Sequence, residues 1–290
     1  MDIFSPAKIN LFLAITGKRE DGFHELYSLF SRINLYDRIL LKLDQDNLGG
    51  CSISSSGIYK IPLDETNSMA RAVNIIRSVS GFKGSVNIHI HKKIPGCAGL
   101  GGGSSNGACV FLSLLKAMGH TMDTKTLLAY LAKIGSDCPF FSKKTPQLVS
   151  GRGDILTDLD SKYVDKIHRL KFVLFKPNID ISTAWAYGQL SGDYTDKQVS
   201  NELMTEFLIC LEQGKRILIY NDFNAVVFGH YPTLAKLKNT LADNGFDMSF
   251  TGSGSACLVN FNTDAELEGI ASIITAVLGK NIFMKVVTCL

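Results

Sequence analysis

Pro95-Gly96-Cys97-Ala98-Gly99-Leu100-Gly101-Gly102-Gly103-Ser104-Ser105-Asn106 is the stretch on which the reading of this chain turns. Five glycines and two hydroxyls stand directly ahead of an apolar pattern of helical period from Ala108 to Met118. Glycine lets the backbone take positive φ and approach a ligand, and the free N–H groups of a helix start aim partial positive charge at an anion. The segment Val86 to Ile94 ahead of the loop supplies the strand of a strand–loop–helix unit. The stretch therefore reads as a phosphate cradle, and a nucleoside triphosphate is its natural guest. Two commoner phosphate loops are excluded. No lysine follows the glycines before Lys116, as a Walker A loop would require, and the third glycine of a dinucleotide fingerprint begun at Gly99 would fall on Ser104.

Working outward, alternation of apolar and polar residues predicts strands at Ile39–Leu43 and at Val86–His91, which turns His89 and His91 to one face. No third ligand at a suitable spacing accompanies those histidines, so they are expected to be partly solvated strand residues. Helical periodicity predicts helices at 67–79, 104–118, 124–134, 233–244 and 264–278, with Ser104, Thr124 and Asp264 as N-caps. The turn cluster Ser150-Gly151-Arg152-Gly153-Asp154 is expected to divide residues 1–152, which hold the phosphate loop, from a second domain at 153–290.

Three further clusters carry polar chemistry in apolar surroundings. Lys8 and Asn10 lie two apart in Pro6-Ala7-Lys8-Ile9-Asn10-Leu11-Phe12-Leu13 and so face one side of a strand. Buried without partners they would cost a few kcal/mol, so they either meet a partner inside or lie in water on an edge strand. Asp137, in Gly135-Ser136-Asp137-Cys138-Pro139, is either a helix cap or the partner of Lys8 and acceptor of a substrate proton. Phe250-Thr251-Gly252-Ser253-Gly254-Ser255-Ala256-Cys257 is a second glycine–hydroxyl loop ahead of a predicted strand.

The bulk properties limit the classes of function. A formal charge of +3 on 290 residues, with no dense Lys/Arg run, does not indicate a nucleic-acid groove. Seven cysteines without a Cys-x-x-Cys pair argue against a disulfide framework and a zinc knuckle, and fit a reducing cytoplasm. The opening residues lack the pattern of a signal peptide, and no apolar run reaches membrane-spanning length, so no membrane partner is expected.

In order and spacing, PAKINLFL at 6–13, the loop at 95–108 and FTGSGSACLV at 250–259 resemble the three signature motifs of the GHMP kinases. Arg19-Glu20-Asp21-Gly22-Phe23-His24-Glu25-Leu26 is similar to a cytidine-binding segment carried by one branch of that family. The resemblance implies a two-domain α+β fold, with an N-terminal domain like ribosomal S5 domain 2 and a ferredoxin-like C-terminal domain. It implies transfer of the γ-phosphoryl of ATP, with Mg2+, to the tertiary 2-hydroxyl of a cytidine-diphosphate-linked methylerythritol in isoprenoid synthesis. It assigns Asp137 as base and Lys8 as its catalytic partner. Asn10, Phe23, His24, Thr183 and Tyr187 would contact that substrate, with Phe23 and Tyr187 as aromatic faces and His24 bonding the cytosine edge. Pro95, Gly96, Cys97, Ala98, Gly99, Leu100, Gly101, Gly102, Gly103, Ser104 and Ser105 would form the ATP loop, and Thr251, Gly252, Ser253, Gly254 and Ser255 the third loop. Phe23 replaces the family's usual tyrosine, Cys97 a common glycine and Asn106 a frequent aspartate. A monomer or weak homodimer in the cytoplasm is expected. Another GHMP kinase and a non-catalytic nucleotide-binding regulator stay open.

Overall fold

The computed structural model describes residues 1–190, 192 and 194–290. Its first half is built on two long strands, β1 (Asp2–Lys18) and β2 (His24–Leu48), paired antiparallel. Next along the chain come β3 (Cys51–Gly57), α1 (Ser68–Ser80), β4 (Gly84–Lys92), α2 (Gly102–Ala117) and α3 (Thr124–Ile134). A hairpin of β5 (Gln147–Gly151) and β6 (Ile155–Asp158) follows. The second half runs α4 (Ser161–His168), β7 (Lys171–Lys176), α5 (Thr183–Gly188), α6 (Lys197–Glu212), β8 (Tyr220–Asn221) and α7 (Phe223–His230). It ends with α8 (Pro232–Asp243), β9 (Met248–Phe250), β10 (Cys257–Phe261), α9 (Asp264–Leu278) and β11 (Phe283–Thr288).

The first sheet has the order β3-β4-β2-β1-β8, with β5 on β2 and β6 on β5. The second, β11-β7-β10-β9, is antiparallel throughout, the order of a ferredoxin-like sheet. The architecture is α+β, as the motifs imply. Helices α1, α2 and α3 cover one face of the first sheet through Val73, Ile76, Phe111, Leu114, Leu131 and Ile134 on β-strand residues such as Ile39, Ile88 and Ile90. A second apolar cluster joins the two halves: Ile9, Leu11 and Phe12 of β1 pack with Phe172 and Leu174 of β7 and Leu258 of β10. Ala98 and Leu100 of the phosphate loop belong to that same cluster, so the loop is anchored where the two sheets meet. Each such buried side chain removes apolar area worth about 1.5–3 kcal/mol from water, which holds the halves in register.

The cap expectations need correction. Helix α2 begins at Gly102 with Gly101 as N-cap, and Ser104 sits inside the first turn. Asp123 caps α3 by accepting from the backbone N–H of Thr126, and Thr263 caps α9 by accepting from that of Glu266, each one residue ahead of the expected Thr124 and Asp264. In both cases two adjacent residues could cap, and the one left in extended geometry, with φ −65° and −122°, takes the role. His89 and His91 lie on β4 and share hydrogen bonds with Ser54 and Ser56 of the neighbouring β3.

Candidate active site

The phosphate loop turns into α2 through Gly101, whose φ of 63° lies in the left-handed region. The first helical bond runs from the Ser105 N–H to the Gly101 carbonyl at 2.8 Å. The N–H groups of Gly102, Gly103 and Ser104 precede it and have no intrahelical acceptor, which is the arrangement that holds an anion. Gly99, at φ 73°, touches the third loop so closely that a Cβ there would lie 1.9 Å from the Thr251 carbonyl oxygen. Cys97 adopts φ 49°, the left-handed backbone that a glycine would accept more readily.

The loop residues divide by environment. Gly99, Gly101 and Ser104 line a cleft of about 780 Å³ between the two halves. Gly103 and Ser104 also border a neighbouring cleft of about 290 Å³. Pro95, Ala98 and Leu100 are buried, and Gly96 and Cys97 are exposed. Ser105 is buried and its hydroxyl accepts from Ser5 at 2.7 Å, so it braces α2 against β1.

Lys8 and Asn10 come from β1, which lies between β2 and β8, and they are 4% and 2% exposed, which removes the edge-strand alternative. The Lys8 Nζ donates to Asn10 Oδ1 at 2.8 Å, lies 3.5 Å from Asp137 Oδ2 and sits over the Phe30 ring at 4.4 Å. Asn10 in turn donates from Nδ2 to Ser28 Oγ at 2.9 Å, and its backbone N–H donates to Thr251 Oγ1 at 2.9 Å. A register shift between Asn10 and Phe12 re-aims β1 just beyond this pair. Burial pushes the Lys8 pKa below the ordinary lysine value, and the Asp137 carboxylate pulls it back up. The Lys8–Asp137 pair lines the same cleft as Gly101 and Ser104, 129 residues apart in sequence by position.

Lys8→Met tests the balance. Asp137 keeps a quarter of its side chain in water and tolerates the loss of its partner, while the buried ammonium is removed. The variant is expected to be as stable as wild type near pH 7, or more so, with activity lowered at least 100-fold. Because the folded pKa of Lys8 lies below the unfolded value of about 10.4, the unfolded chain binds the extra proton between the two. Wild-type stability therefore gains on that of the variant as pH rises through this window, which thermal denaturation at several pH values will show.

At the far end of the cleft His24 stacks on Tyr187 with centroids 4.6 Å apart and an interplanar angle of 29°. Phe23 is half exposed and lies under the Arg152 guanidinium at 4.9 Å, with no ring contact to Tyr187 among the described residues. The ring stacked on Tyr187 is thus the His24 imidazole. Burial, and secondarily Lys18, holds the His24 pKa below its ordinary value, so the ring is neutral at pH 7. Burial and the nearby Asp137 charge raise the Tyr187 pKa and keep its phenol protonated. Thr183 opens α5 and shares a hydrogen bond of 3.0 Å with Ser253.

Within the third loop, Gly252 and Ser253 face the cleft, whereas Thr251 and Ser255 are fully buried. The Thr251 hydroxyl is spent on Asn10. Sequence reading missed Lys18, Arg152 and Tyr194, which also line the cleft. Arg152 lay in a cluster read only as a turn, and the bond from its N–H to Asp154 Oδ1 at 3.0 Å is indeed a turn bond. A buried network behind the loop was also missed: Lys92 pairs with the fully buried Asp37, and Asn106 donates to Asp37 and Ser5 at 3.0 Å each. Asn106 is 3% exposed and borders the smaller cleft, with both of its amide atoms engaged in this network.

Residues 67–144 match the GHMP kinases N terminal domain family. The chain is 35% identical over 259 residues to a 4-diphosphocytidyl-2-C-methyl-D-erythritol kinase of Protochlamydia amoebophila, covering 88% of this chain and 83% of that one. It is 36% identical to a chloroplastic kinase of the same name from Mentha piperita, covering 88% of this chain and 62% of that longer protein. Among solved structures, a 4-(cytidine 5'-diphospho)-2C-methyl-D-erythritol kinase superposes with a TM-score of 0.79 at 27% identity over 99% of both chains. Homoserine kinase from Cytophaga hutchinsonii superposes with a TM-score of 0.71 at 17% identity, over 99% of this chain and 94% of that one, and shares the fold. No helix among the described residues is long and apolar enough to cross a membrane. With more than a third of the aligned residues identical over 88% of its length, the chain belongs to the 4-diphosphocytidyl-2-C-methyl-D-erythritol kinases of the GHMP family, small-molecule kinases that use ATP.

Proposed function

We propose that this chain transfers the γ-phosphoryl of ATP to the 2-hydroxyl of 4-diphosphocytidyl-2-C-methyl-D-erythritol, giving the 2-phosphate and ADP, within non-mevalonate isoprenoid synthesis. The observation that carries the reading is the Lys8–Asp137 pair, 3.5 Å apart on a cleft that the start of α2 also lines. Asp137 accepts the proton of the hydroxyl. Lys8 orients Asp137 and offsets negative charge on the transferring group, and Asn10 holds Lys8 in place. A tertiary hydroxyl is hindered and weakly acidic, so alignment matters more than basicity.

ATP would lie along the smaller cleft, with its terminal phosphates on the N–H groups of Gly102, Gly103 and Ser104, where the two clefts meet at Ser104. Mg2+ takes most of its ligands from phosphates and water and needs few from protein. Ser104, which carries a hard hydroxyl oxygen and borders both clefts, fits that requirement; Asn106 also borders the smaller cleft, but its Nδ2 donates to Asp37 and Ser5 and its Oδ1 faces the Lys92 ammonium at 3.5 Å. When bound, the ion neutralises charge building on the β and γ phosphates. His24, neutral and able both to donate and to accept, would read the cytosine edge beside Tyr187 and Phe23, with Thr183 nearby on the substrate path.

The same reading places the domain border at residue 152, in the turn of the β5–β6 hairpin. It has the protein acting in the cytoplasm as a monomer or weak homodimer.

A coupled assay for ADP release tests the proposal with the cytidylated methylerythritol, homoserine and mevalonate as alternative acceptors. Turnover only with the first supports it; turnover with another acceptor, or none, rejects it. The pH profile is a further check. Because Lys8 acts as an ammonium and its pKa is lowered, kcat should fall on the alkaline side below the ordinary lysine pKa of about 10.4.

A further inference from the structure

Asp222 is a half-buried carboxylate with no salt-bridge partner among the described residues, yet it is fully engaged by neutral donors. The backbone N–H of Ile15 donates to its Oδ2 at 2.6 Å, and the Tyr220 phenol donates to its Oδ1 at 2.5 Å. The Thr195 hydroxyl reaches both oxygens, at 2.8 and 2.9 Å. Two backbone bonds complete the clamp, from the Thr195 N–H to the Ile15 carbonyl at 3.0 Å and from the Asp222 N–H to the Leu13 carbonyl at 3.1 Å. Burial, and then the Asp222 charge, push the Tyr220 pKa up to about 12, so the phenol remains a donor at neutral pH.

The clamp fixes the residue next to Thr195. Tyr194 presents its ring to His24 edge-on, with centroids 5.8 Å apart at 63°, while Tyr187 stacks on His24 at 4.6 Å. The Tyr194 hydroxyl has no hydrogen-bond partner among the described residues, so the ring is what acts. All three side chains line the main cleft. An imidazole without the second wall could leave the rotamer that faces the base, and binding would have to immobilise it.

We propose that Tyr194, held to β1 through Thr195 and Asp222, is a positioning residue that sets the His24 ring for the cytosine edge of the substrate. This rests on the function proposed above. It assigns the Asp222 cluster, which joins Ile15 to Asp222 across 207 positions of sequence, to substrate recognition rather than to general stability.

Steady-state kinetics with the cytidylated methylerythritol, together with calorimetric binding of cytidine diphosphate, test the assignment in the full chain. Tyr194→Ala is expected to raise KM for the cytidylated substrate, and the Kd for cytidine diphosphate, by about tenfold, the scale of one aromatic contact plus one immobilised side chain. The KM for ATP should stay unchanged. Tyr194→Phe should return both values toward wild type, and Thr195→Val, which loses the hydroxyl, should shift them in the direction of the alanine variant by a smaller factor. A Tyr194→Ala protein indistinguishable from wild type overturns the assignment and leaves the proposed function standing. Equal weakening of ATP and cytidine diphosphate, with a lowered Tm, overturns it in favour of a structural role. Wild-type protein that neither binds cytidine diphosphate nor turns over the substrate removes the functional reading on which it rests.

Discussion

Asp137→Ala lowers kcat by about 10³-fold, equivalent to about 4 kcal/mol of transition-state stabilisation, while ATP binding is held within about twofold. The split follows from where the groups stand. The triphosphate would be held by backbone N–H groups at the start of α2, and none of these depends on a carboxylate. Asp137 contributes an acceptor for the hydroxyl proton and the counter-charge for a buried ammonium 3.5 Å away. Removing it leaves Lys8 with Asn10 as its remaining polar partner, so the amine loses its proton more readily and the site loses both charges. Asp137→Asn keeps the shape without the basicity and should be nearly as slow. Kinetics combined with calorimetry of a non-hydrolysable ATP analogue check both parts; equal loss of nucleotide affinity would make Asp137 structural.

Gly99→Ala is the second large effect, and it acts on stability and activity together. At φ 73° any side chain is strained, and here the added Cβ would meet the Thr251 carbonyl oxygen at 1.9 Å and its carbon at 2.8 Å. Backbone cannot rotate away as a side chain would. The third loop is pinned by Asn221 Nδ2 donating to the Phe250 and Gly252 carbonyls at 2.8 and 3.0 Å, and the phosphate loop by the Ala256 N–H on the Ala98 carbonyl at 3.2 Å. A loss of about 3 kcal/mol in urea unfolding is expected, with kcat/KM for ATP down about 100-fold. Gly96, in the same loop, has no atom within 4 Å of an added Cβ, and Gly96→Ala should stay within about 0.5 kcal/mol of wild type.

Much of the site could be read from local sequence because its parts are local. The phosphate loop needs only a strand, glycines and a helix start within some 30 residues, and Lys8 and Asn10 share a strand face by the period of the pleat. The strand at Ile39–Leu43 was visible as alternation, but the full span of β2, from His24 to Leu48, was not, since its polar residues are paid for by pairing with β1, β4 and β5. The cap errors at Thr124 and Asp264 came from neighbouring residues of equal capping ability. What sequence could not show is long-range. Arg152 reaches Phe23, Asp37 meets Lys92 and Asn106, and Asp222 ties Thr195 to Ile15 across the chain. None of these pairs has a spacing that either partner announces. The stack of His24 on Tyr187 belongs to the same class, because an aromatic pattern says which rings are present and not which faces meet.

The central claim is that the Lys8–Asp137 pair directs the γ-phosphoryl of ATP onto a hydroxyl whose carbon bears no hydrogen. Phosphorus-31 NMR of the reaction with 4-diphosphocytidyl-2-C-methyl-D-erythritol, recorded without proton decoupling, tests it most directly. ADP is expected together with a new phosphomonoester line that remains a singlet, absent with Asp137→Ala. A phosphomonoester split by neighbouring protons, or only inorganic phosphate beside ADP, would contradict it.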